Sequence, residues 1–521
     1  MRKLNATFKK IDYVLAIIMV LFTITSIFYP IEPWLFRGTH LTIALILVFL
    51  NMPARKSEQA KEKGTPTIID AILIALSISV MAYIYIEFSE LIYRVGAIPT
   101  KMDIAIGIAI IVIVLEASRR AAGMAFMIVA LVALAYTILG KYMPGLLGHR
   151  GYSIRRTVSY IFSVEGIYGS TLRASATFAI LFITLGSFMK AFGAEKFFND
   201  FSMAVSGHTR GGPGKVAVLA SALFGSISGH AAGNVATTGT FTIPMMKRIG
   251  YKSSFAGAVE AAASAGGQIL PPVMGTVVFV MIELTAIPYQ AIMVAGLIPA
   301  LLYYLAVFLM VDFEAINLKL CGLPKDQLPS VKESLKEGSF FIVAIAVLLF
   351  MLFFKKSSVT LAAVYTIATV VVIGFIKVKA QKVVLKKVLE GLYGGGRGTM
   401  KLAPLTASAG IVIGVVTLTG IGVKLGRFLV LISGGHLFPI LFVAMILSSI
   451  LGMGMSTIPA YVVAASVVAP ALIEVGIPVL PAHLFVLYYA CLSTITPPIA
   501  ISSFTAASIA DAPPMETAFK A

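Results

Sequence analysis

Between residues 14 and 510 the chain is a succession of apolar runs with short polar breaks: 14–29, 39–50, 68–92, 103–117, 122–139, 174–192, 216–246, 253–282, 291–311, 339–354, 359–376, 402–418, 428–433 with 437–473, and 479–510. A run of about 20 apolar residues spans a ~30 Å hydrocarbon core, so this material suffices for about 12 to 15 membrane crossings. Hydrophobic residues make up 59% of the chain and charged residues 12%, against roughly 25% charged in soluble proteins. A soluble protein is excluded, and the expected fold class is an all-α polytopic membrane protein. Several runs exceed the length of one crossing and must contain a turn.

The formal charge of +18 is what an excess of cytoplasmic Lys and Arg produces in such a chain. No basic cluster is interleaved with aromatics in a long polar stretch, so no nucleic-acid partner is expected. Arg2, Lys3, Lys9 and Lys10, with Arg55, Lys56, Lys61 and Lys63 in the loop 51–67, place the N-terminus and that loop in the cytoplasm, two crossings apart. Val14 to Tyr29 lacks a small-residue cleavage signal and reads as a retained first transmembrane helix. Cys321 and Cys491 offer neither a disulfide framework nor a metal-ligand spacing. No Gly-x-x-x-x-Gly-Lys-Ser/Thr loop occurs, which argues against ATP-driven transport by this chain alone.

An internal repeat organises the chain. An offset of 226 superimposes Pro213 on Pro439, Pro244 on Pro470, Gly250 on Gly476, Pro271-Pro272 on Pro497-Pro498, and Pro288 on Pro514, without a gap. The two halves are separated by a linker at 312–338. After Pro244 come Lys247, Arg248 and Lys252, whereas after Pro470 comes Glu474 and no Lys or Arg up to Ala482. The two turns therefore face opposite sides, and the repeat is read as inverted; Lys424 and Arg427, before the second hairpin, run against this reading.

Val216 to Met246 carries no charge, yet its centre, Gly225 to Gly239, is small and polar. Such a centre at membrane depth survives only inside protein or along a wet cavity, so a re-entrant hairpin is expected there. Leu437 to Ile473, with Leu451-Gly-Met-Gly-Met-Ser-Thr457 at its centre, has the same form. Each half then breaks again, at Ala263 to Pro272 and at Leu492 to Pro498, where double prolines remove backbone donors. Freed carbonyls and hydroxyls are hard oxygen ligands of the kind that hold sodium and anionic groups at broken helices. A close-packing interface of small residues is the competing reading of each run taken alone.

Three further features complete the inventory. His230 reads equally as a ligand, a proton carrier or a helix-to-helix hydrogen-bond donor, and Glu260 and Glu283 are intramembrane acids whose repeat partners are Val486 and Ile509. Glu116 and Arg120 form an (i, i+4) pair at a cytoplasmic boundary. Glu390 to Lys401, with Gly394-Gly-Gly-Arg-Gly398, is expected to be a flexible connection.

The stretches Phe224 to Tyr251 and Ala261 to Gly275 resemble the large membrane subunit of tripartite ATP-independent periplasmic (TRAP) transporters, in wording closest to the fused, TAXI-type permeases. The resemblance covers about residues 120–521. It implies a four-helix, small-subunit-like region at 1–120, a first large-subunit half at 121–311 with its hairpin near 214–246, the linker at 312–338, and a second half at 339–521 with its hairpin near 437–473. The helix after Pro288 would map to about 517–537 and the sequence stops at Ala521, so the second half is expected to be truncated, either naturally short or a fragment. What the resemblance implies is an elevator-type secondary transporter in a bacterial or archaeal inner membrane, using sodium as coupling ion and no other cofactor. It would take a small organic acid or amino acid from an extracytoplasmic substrate-binding protein, and it would not be an enzyme.

By the same resemblance the ion and substrate candidates are Ser226, Ser228, Gly229, Asn234, Thr237 and Thr238 on the first hairpin, with Gly267 and Gln268 behind it. Their second-half counterparts are Gly452, Gly454, Ser456, Thr457, Ser493, Thr494 and Thr496. Pro244, Pro271, Pro272, Pro470, Pro497 and Pro498 are the helix-breaking residues. His230 stands where the family pattern has serine, and Ser456 where it has proline. A proton-coupled transporter and a passive anion channel of the same architecture stay open as alternatives.

Overall fold

A computed structural model describes residues 1–54, 62, 64–324, 326, 328–377, 381–432, 434 and 436–521. Among these residues the chain is helical throughout its apolar runs and forms no strand. Arg55, Lys56, Lys61 and Lys63 of the basic loop lie outside the described residues.

Ten described helices are long and apolar enough to cross a membrane, by length and composition: Ala6–Phe28, Pro33–Asn51, Ile68–Arg94, Met124–Tyr142, Ser170–Ala191, Tyr289–Asn317, Val331–Phe354, Val359–Ile376, Gln381–Thr419 and Thr457–Glu474. The number falls short of the sequence expectation because the longest apolar runs divide into shorter helices. Residues 216–246 lie in Gly212–Ser228 and Ala231–Ile249, and 253–282 in Ser253–Gly266 and Val277–Thr285. In the second half, 437–473 lies in Leu437–Gly452 and Thr457–Glu474, and 479–510 in Val479–Leu492 and Ile501–Ala510. The 312–338 linker is shorter than expected, because the flanking helices run to Asn317 and start again at Val331.

Helix ends follow local chemistry. Thr67 and Asp70, and again Thr100 and Asp103, form reciprocal capping boxes that satisfy orphan amides at two helix starts. Asp70 does more than cap. Its carboxylate, fully buried, lies 2.6 Å from the Arg2 guanidinium and 2.6 Å from that of Arg120. Arg120 also pairs with Glu116 at 2.7 Å, as its spacing suggests, and lies over the Phe49 ring. The Arg2 amide donates to the Asn51 carbonyl and the Asn5 amide to that of Gly64, so the N-terminus and both ends of the 51–67 loop share one end of the molecule.

One expectation is corrected outright. Glu390 to Lys401 is not a flexible connection: Gln381–Thr399 is a continuous helix. Its glycines allow the backbone to approach Ser170–Ala191 and the first helix too closely for any side chain. A Cβ added at Gly395 would sit 2.2 Å from Thr184 Oγ1, and one at Gly396 would sit 2.0 Å from the Ala16 carbonyl. Small residues let helices associate in lipid by dispersion at short range. Gly396→Val is therefore expected to abolish recovery of folded protein from the membrane, while Gly396→Ala reduces it; normal yield and melting of the valine variant would refute this packing.

Several helix boundaries fall at the same 226 offset. Ala231–Ile249 and Thr457–Glu474 start 226 residues apart, and Ser253–Gly266 and Val479–Leu492 both start and end at that offset. Gly250 and Gly476, also 226 apart, both end their helices at positive φ, 113° and 94°. Glu474, which carried the charge contrast between the two turns, lies 3.6 Å from Arg427.

Candidate functional site

Each hairpin turns where a residue must take a left-handed backbone. Gly229 has φ 63° between the arms of the first hairpin, and Gly454 has φ 72° between those of the second. Both are conformations that glycine enters without steric cost. Within the first hairpin, Asn234 Nδ2 donates to the Ser221 carbonyl at 2.9 Å, so side chain and backbone lock the two arms together. The first broken helix leaves the same core: Met274 N donates to the Ser226 carbonyl at 3.1 Å, and Gly267 abuts Gly225 so closely that a Cβ on either would collide.

The two halves meet at Gln268. Thr457 Oγ1, on the first residue of the helix after the second tip, donates to Gln268 Oε1 at 2.6 Å. This hydrogen bond joins the second hairpin to the first broken helix. Gln268 Nε2 is buried with no hydrogen-bond partner, and so is Ser228 Oγ at the first tip. Both residues line a cavity of about 540 Å³, with Gly229, His230 and Thr276 from the first half and Ser456, Thr457 and Ile458 from the second. Arg397, Lys401, Ala121, Ala122 and Met1 line it as well. Arg397 is anchored by Asp12 at 3.3 Å and by Asn51 Oδ1 at 2.9 Å. Buried polar atoms normally find partners. Two orphaned atoms beside two cations make this cavity suited to a small polar, anionic guest.

Of the candidates read from the sequence, Ser228, Gly229, Gln268, Ser456 and Thr457 line this cavity. The others are not part of its lining. Ser226 donates to the Leu223 carbonyl, Thr238 sits on a buried hydroxyl network, and Thr237 back-bonds to Gly233 on a half-exposed helix face. Gly452 packs directly on Ser493, whose Oγ donates to the Ala490 carbonyl. Thr494 and Thr496 return their hydroxyls to the carbonyls of Cys491 and Leu492, and the Thr494 carbonyl accepts from the Ser502 amide across the second break. Pro271-Pro272 and Pro497-Pro498 occupy equivalent breaks, but Pro244 and Pro470, expected to break their helices, lie inside Ala231–Ile249 and Thr457–Glu474, which continue past them.

Sequence reasoning missed Arg397 and Lys401, which it had assigned to a connecting segment, and Thr276. The glycines around Arg397 were the available signal, because a helix threaded so closely into a core brings any charge it carries to a buried place. Glu283, read as an intramembrane acid, pairs with Arg173 at 2.6 Å and is not part of the cavity.

Comparison with known proteins gives a match to the family described as tripartite ATP-independent periplasmic transporter, DctM component, over residues 109–521. Relatives include the C4-dicarboxylate TRAP transporter large permease protein DctM of Pseudomonas aeruginosa, 30% identical over 168 residues, 32% of this chain and 39% of that protein. The sialic acid TRAP transporter large permease protein SiaM of Vibrio cholerae is 31% identical over 35% of this chain and 42% of its own length. The 2,3-diketo-L-gulonate TRAP transporter large permease protein YiaN of Escherichia coli is 24% identical over 65% of this chain and 80% of that protein. The chain thus spans about two fifths of the length of the first two relatives it matches.

Proposed function

The chain belongs to the DctM-component family of tripartite ATP-independent periplasmic transporters, and on that premise we propose that it is a multi-pass inner-membrane secondary transporter for a small organic anion. The carrying observation is the cavity at Gln268, where the first tip, the second hairpin and the first broken helix converge on two orphaned polar atoms, with Arg397 and Lys401 beside them. A carboxylate guest satisfies both Ser228 Oγ and Gln268 Nε2 and lies beside the Arg397 and Lys401 side chains. The names of the relatives, which speak of C4-dicarboxylates, sialic acid and 2,3-diketo-L-gulonate, support this class of substrate.

The finer reading adds sodium as the coupling ion, held by carbonyl and hydroxyl oxygens at the four helix breaks. Ser226, Gly267 and the Met274 turn supply the first half, and Gly452, Ser493, Thr494 and Thr496 the second. The hairpins and broken helices then move together as an elevator against a scaffold formed by residues 1–120 and the peripheral helices. Residues 1–120 stand in for the small subunit of a fused, TAXI-type permease, and the two halves, divided at the 312–338 linker, are inverted. With the N-terminus cytoplasmic, the Met1 and Arg397 wall of the cavity faces the cytoplasm, and the conformation is inward-facing. An extracytoplasmic binding protein delivers the substrate.

Reconstituted with its binding protein, the chain is expected to accumulate substrate under an inward sodium gradient. Uptake that ignores sodium removes that coupling, and transport that neither saturates nor exchanges label identifies a channel. Ser226→Ala and Thr496→Val are each expected to raise the sodium concentration for half-maximal uptake by about three- to tenfold, the loss of one modest oxygen contact. Unchanged sodium dependence in both variants would refute these oxygens as ligands.

A further inference from the structure

Behind the cavity lies a polar cluster whose place in the fold does not require it to be polar. Glu260, in the middle of Ser253–Gly266, is completely buried. Its Oε1 accepts from Ser221 Oγ at 2.8 Å, from Ser264 Oγ at 3.3 Å and from Thr238 Oγ1, and its Oε2 accepts from Thr242 Oγ1 at 2.6 Å. Four hydroxyls from both arms of the first hairpin and from the helix itself surround one carboxyl group. Among the described residues no Lys, Arg or His forms an ion pair with it.

The second half shows what this packing needs when no charge is present. At the 226 offset, Ser221, Thr238, Thr242, Glu260 and Ser264 correspond to Leu447, Ala464, Val468, Val486 and Ala490. All five are apolar, and the last four are fully buried. At these five positions the second hairpin therefore packs on its helix with hydrocarbon, the polar contact between the two being a Tyr461–His483 hydrogen bond at other positions. A buried carboxylate without a counter-charge is costly, so the cluster in the first half is retained for something other than packing.

Proton counting indicates what that is. Each hydroxyl has one proton, and Thr238 and Thr242 also lie within 2.9 and 3.1 Å of the carbonyls of Asn234 and Thr238. When the carboxylate is ionised, the hydroxyls turn toward it. When it is protonated, its O–H donates to Thr242 Oγ1, which then donates to the Thr238 carbonyl. Rotation of hydroxyl hydrogens alone serves both charge states.

We propose that Glu260 is a proton-binding site on the first hairpin, at which the carboxylate takes up one proton and later releases it during transport. Its use in coupling rests on the transport reading above. The neighbouring elements supply little competing charge. From Tyr289–Asn317, Tyr303 and Tyr304 direct their hydroxyls to the carbonyls of Ala262 and Ala263. From Val479–Leu492, Cys491 faces Gln268 instead. From Ile501–Ala510, Ile509 lies beside Gly239, against which the Glu260 side chain also packs, and Lys247 at the far end of the hairpin is taken by the Ala510 carbonyl. From Pro514–Lys520, Glu516 faces Ser254, more than a helical turn from Glu260, and is held below the usual carboxylate range by hydrogen bonds from Lys520 and Ser254.

The test is infrared difference spectroscopy of the detergent-solubilised full chain, titrated from about pH 9 to about pH 4 with and without sodium chloride. A protonated-carboxyl band that grows in on acidification, is missing in Glu260→Gln and keeps its midpoint in sodium is the expected result. Thr242→Val, which removes one hydroxyl donor from the ionised form, is expected to raise that midpoint by about one pH unit. This shift tests the site even if Glu260→Gln does not fold. Absence of any titrating band, a midpoint unmoved by Thr242→Val, or a midpoint that falls as sodium rises overturns the proposal, the last in favour of a sodium site. The titration needs no substrate, so its failure leaves sodium-driven uptake standing, and failure of uptake leaves the titration standing.

Discussion

Asp70→Ala is expected to cost about 3–5 kcal/mol of stability, the penalty for removing one partner from a buried ion pair and leaving the other charge without compensation. Here Arg2 loses the acid it pairs with and Arg120 keeps only Glu116, because Arg2 and Arg120 both lie 2.6 Å from the Asp70 carboxylate, with side chains only 1% exposed. The loss also opens the capping box with Thr67 and removes the side-chain tie between the N-terminus, through Arg2, and the helix that follows the loop. Unfolding in detergent measures it, with Asp70→Asn as the comparison. The asparagine keeps an acceptor for the Thr67 amide but not the charge, so a large loss in both variants assigns the effect to the ion pairs. A large loss in alanine alone assigns it to the cap, and a change below about 1 kcal/mol in both means that the arginines are not held by this acid.

Gln268→Leu is expected to raise the apparent KM for substrate by about ten- to a hundredfold, the range set by loss of one or two buried hydrogen bonds to a charged guest. The substitution removes the orphaned Nε2 and also strands Thr457 Oγ1, which donates to Gln268 Oε1 at 2.6 Å. Thr457→Val separates the two effects. It breaks the bond between the halves but leaves Nε2 in the cavity, so a smaller rise in KM is expected. Uptake by proteoliposomes containing the binding protein reads both, and an unchanged KM in Gln268→Leu would place the substrate elsewhere. Equal effects of the two variants would assign Gln268 to positioning the second hairpin rather than to the guest.

Much of the fold was legible before any coordinates. Apolar runs longer than a bilayer is thick had to turn, and the glycines and double prolines marked where: both hairpin tips and both second breaks lie where the residues placed them. The repeat was visible because prolines and glycines constrain the backbone directly, independent of what surrounds them. The misreading of Gly394 to Gly398 has the opposite origin. In water, a glycine-rich stretch gains entropy by staying loose, and only the closeness of Thr184 and Ala16 shows that here the missing side chains are a condition of contact.

By itself, then, the sequence determined that this is a polytopic helical protein whose apolar runs break at four polar points, because chain length, hydropathy and backbone restriction are local properties. The tertiary structure decided which of the polar residues share a space. Five of the fifteen candidates face one cavity, with Arg397 and Lys401 brought to its wall from a segment read as a tether, while Asp70 binds two arginines, one near the N-terminus and one at the end of a later helix. Glu260 was recognisable as an acid in an apolar run, but its four hydroxyls come from three helices. Partners so far apart in the chain are selected only when helices pack, since distance through space, unlike periodicity, is not written in neighbouring residues.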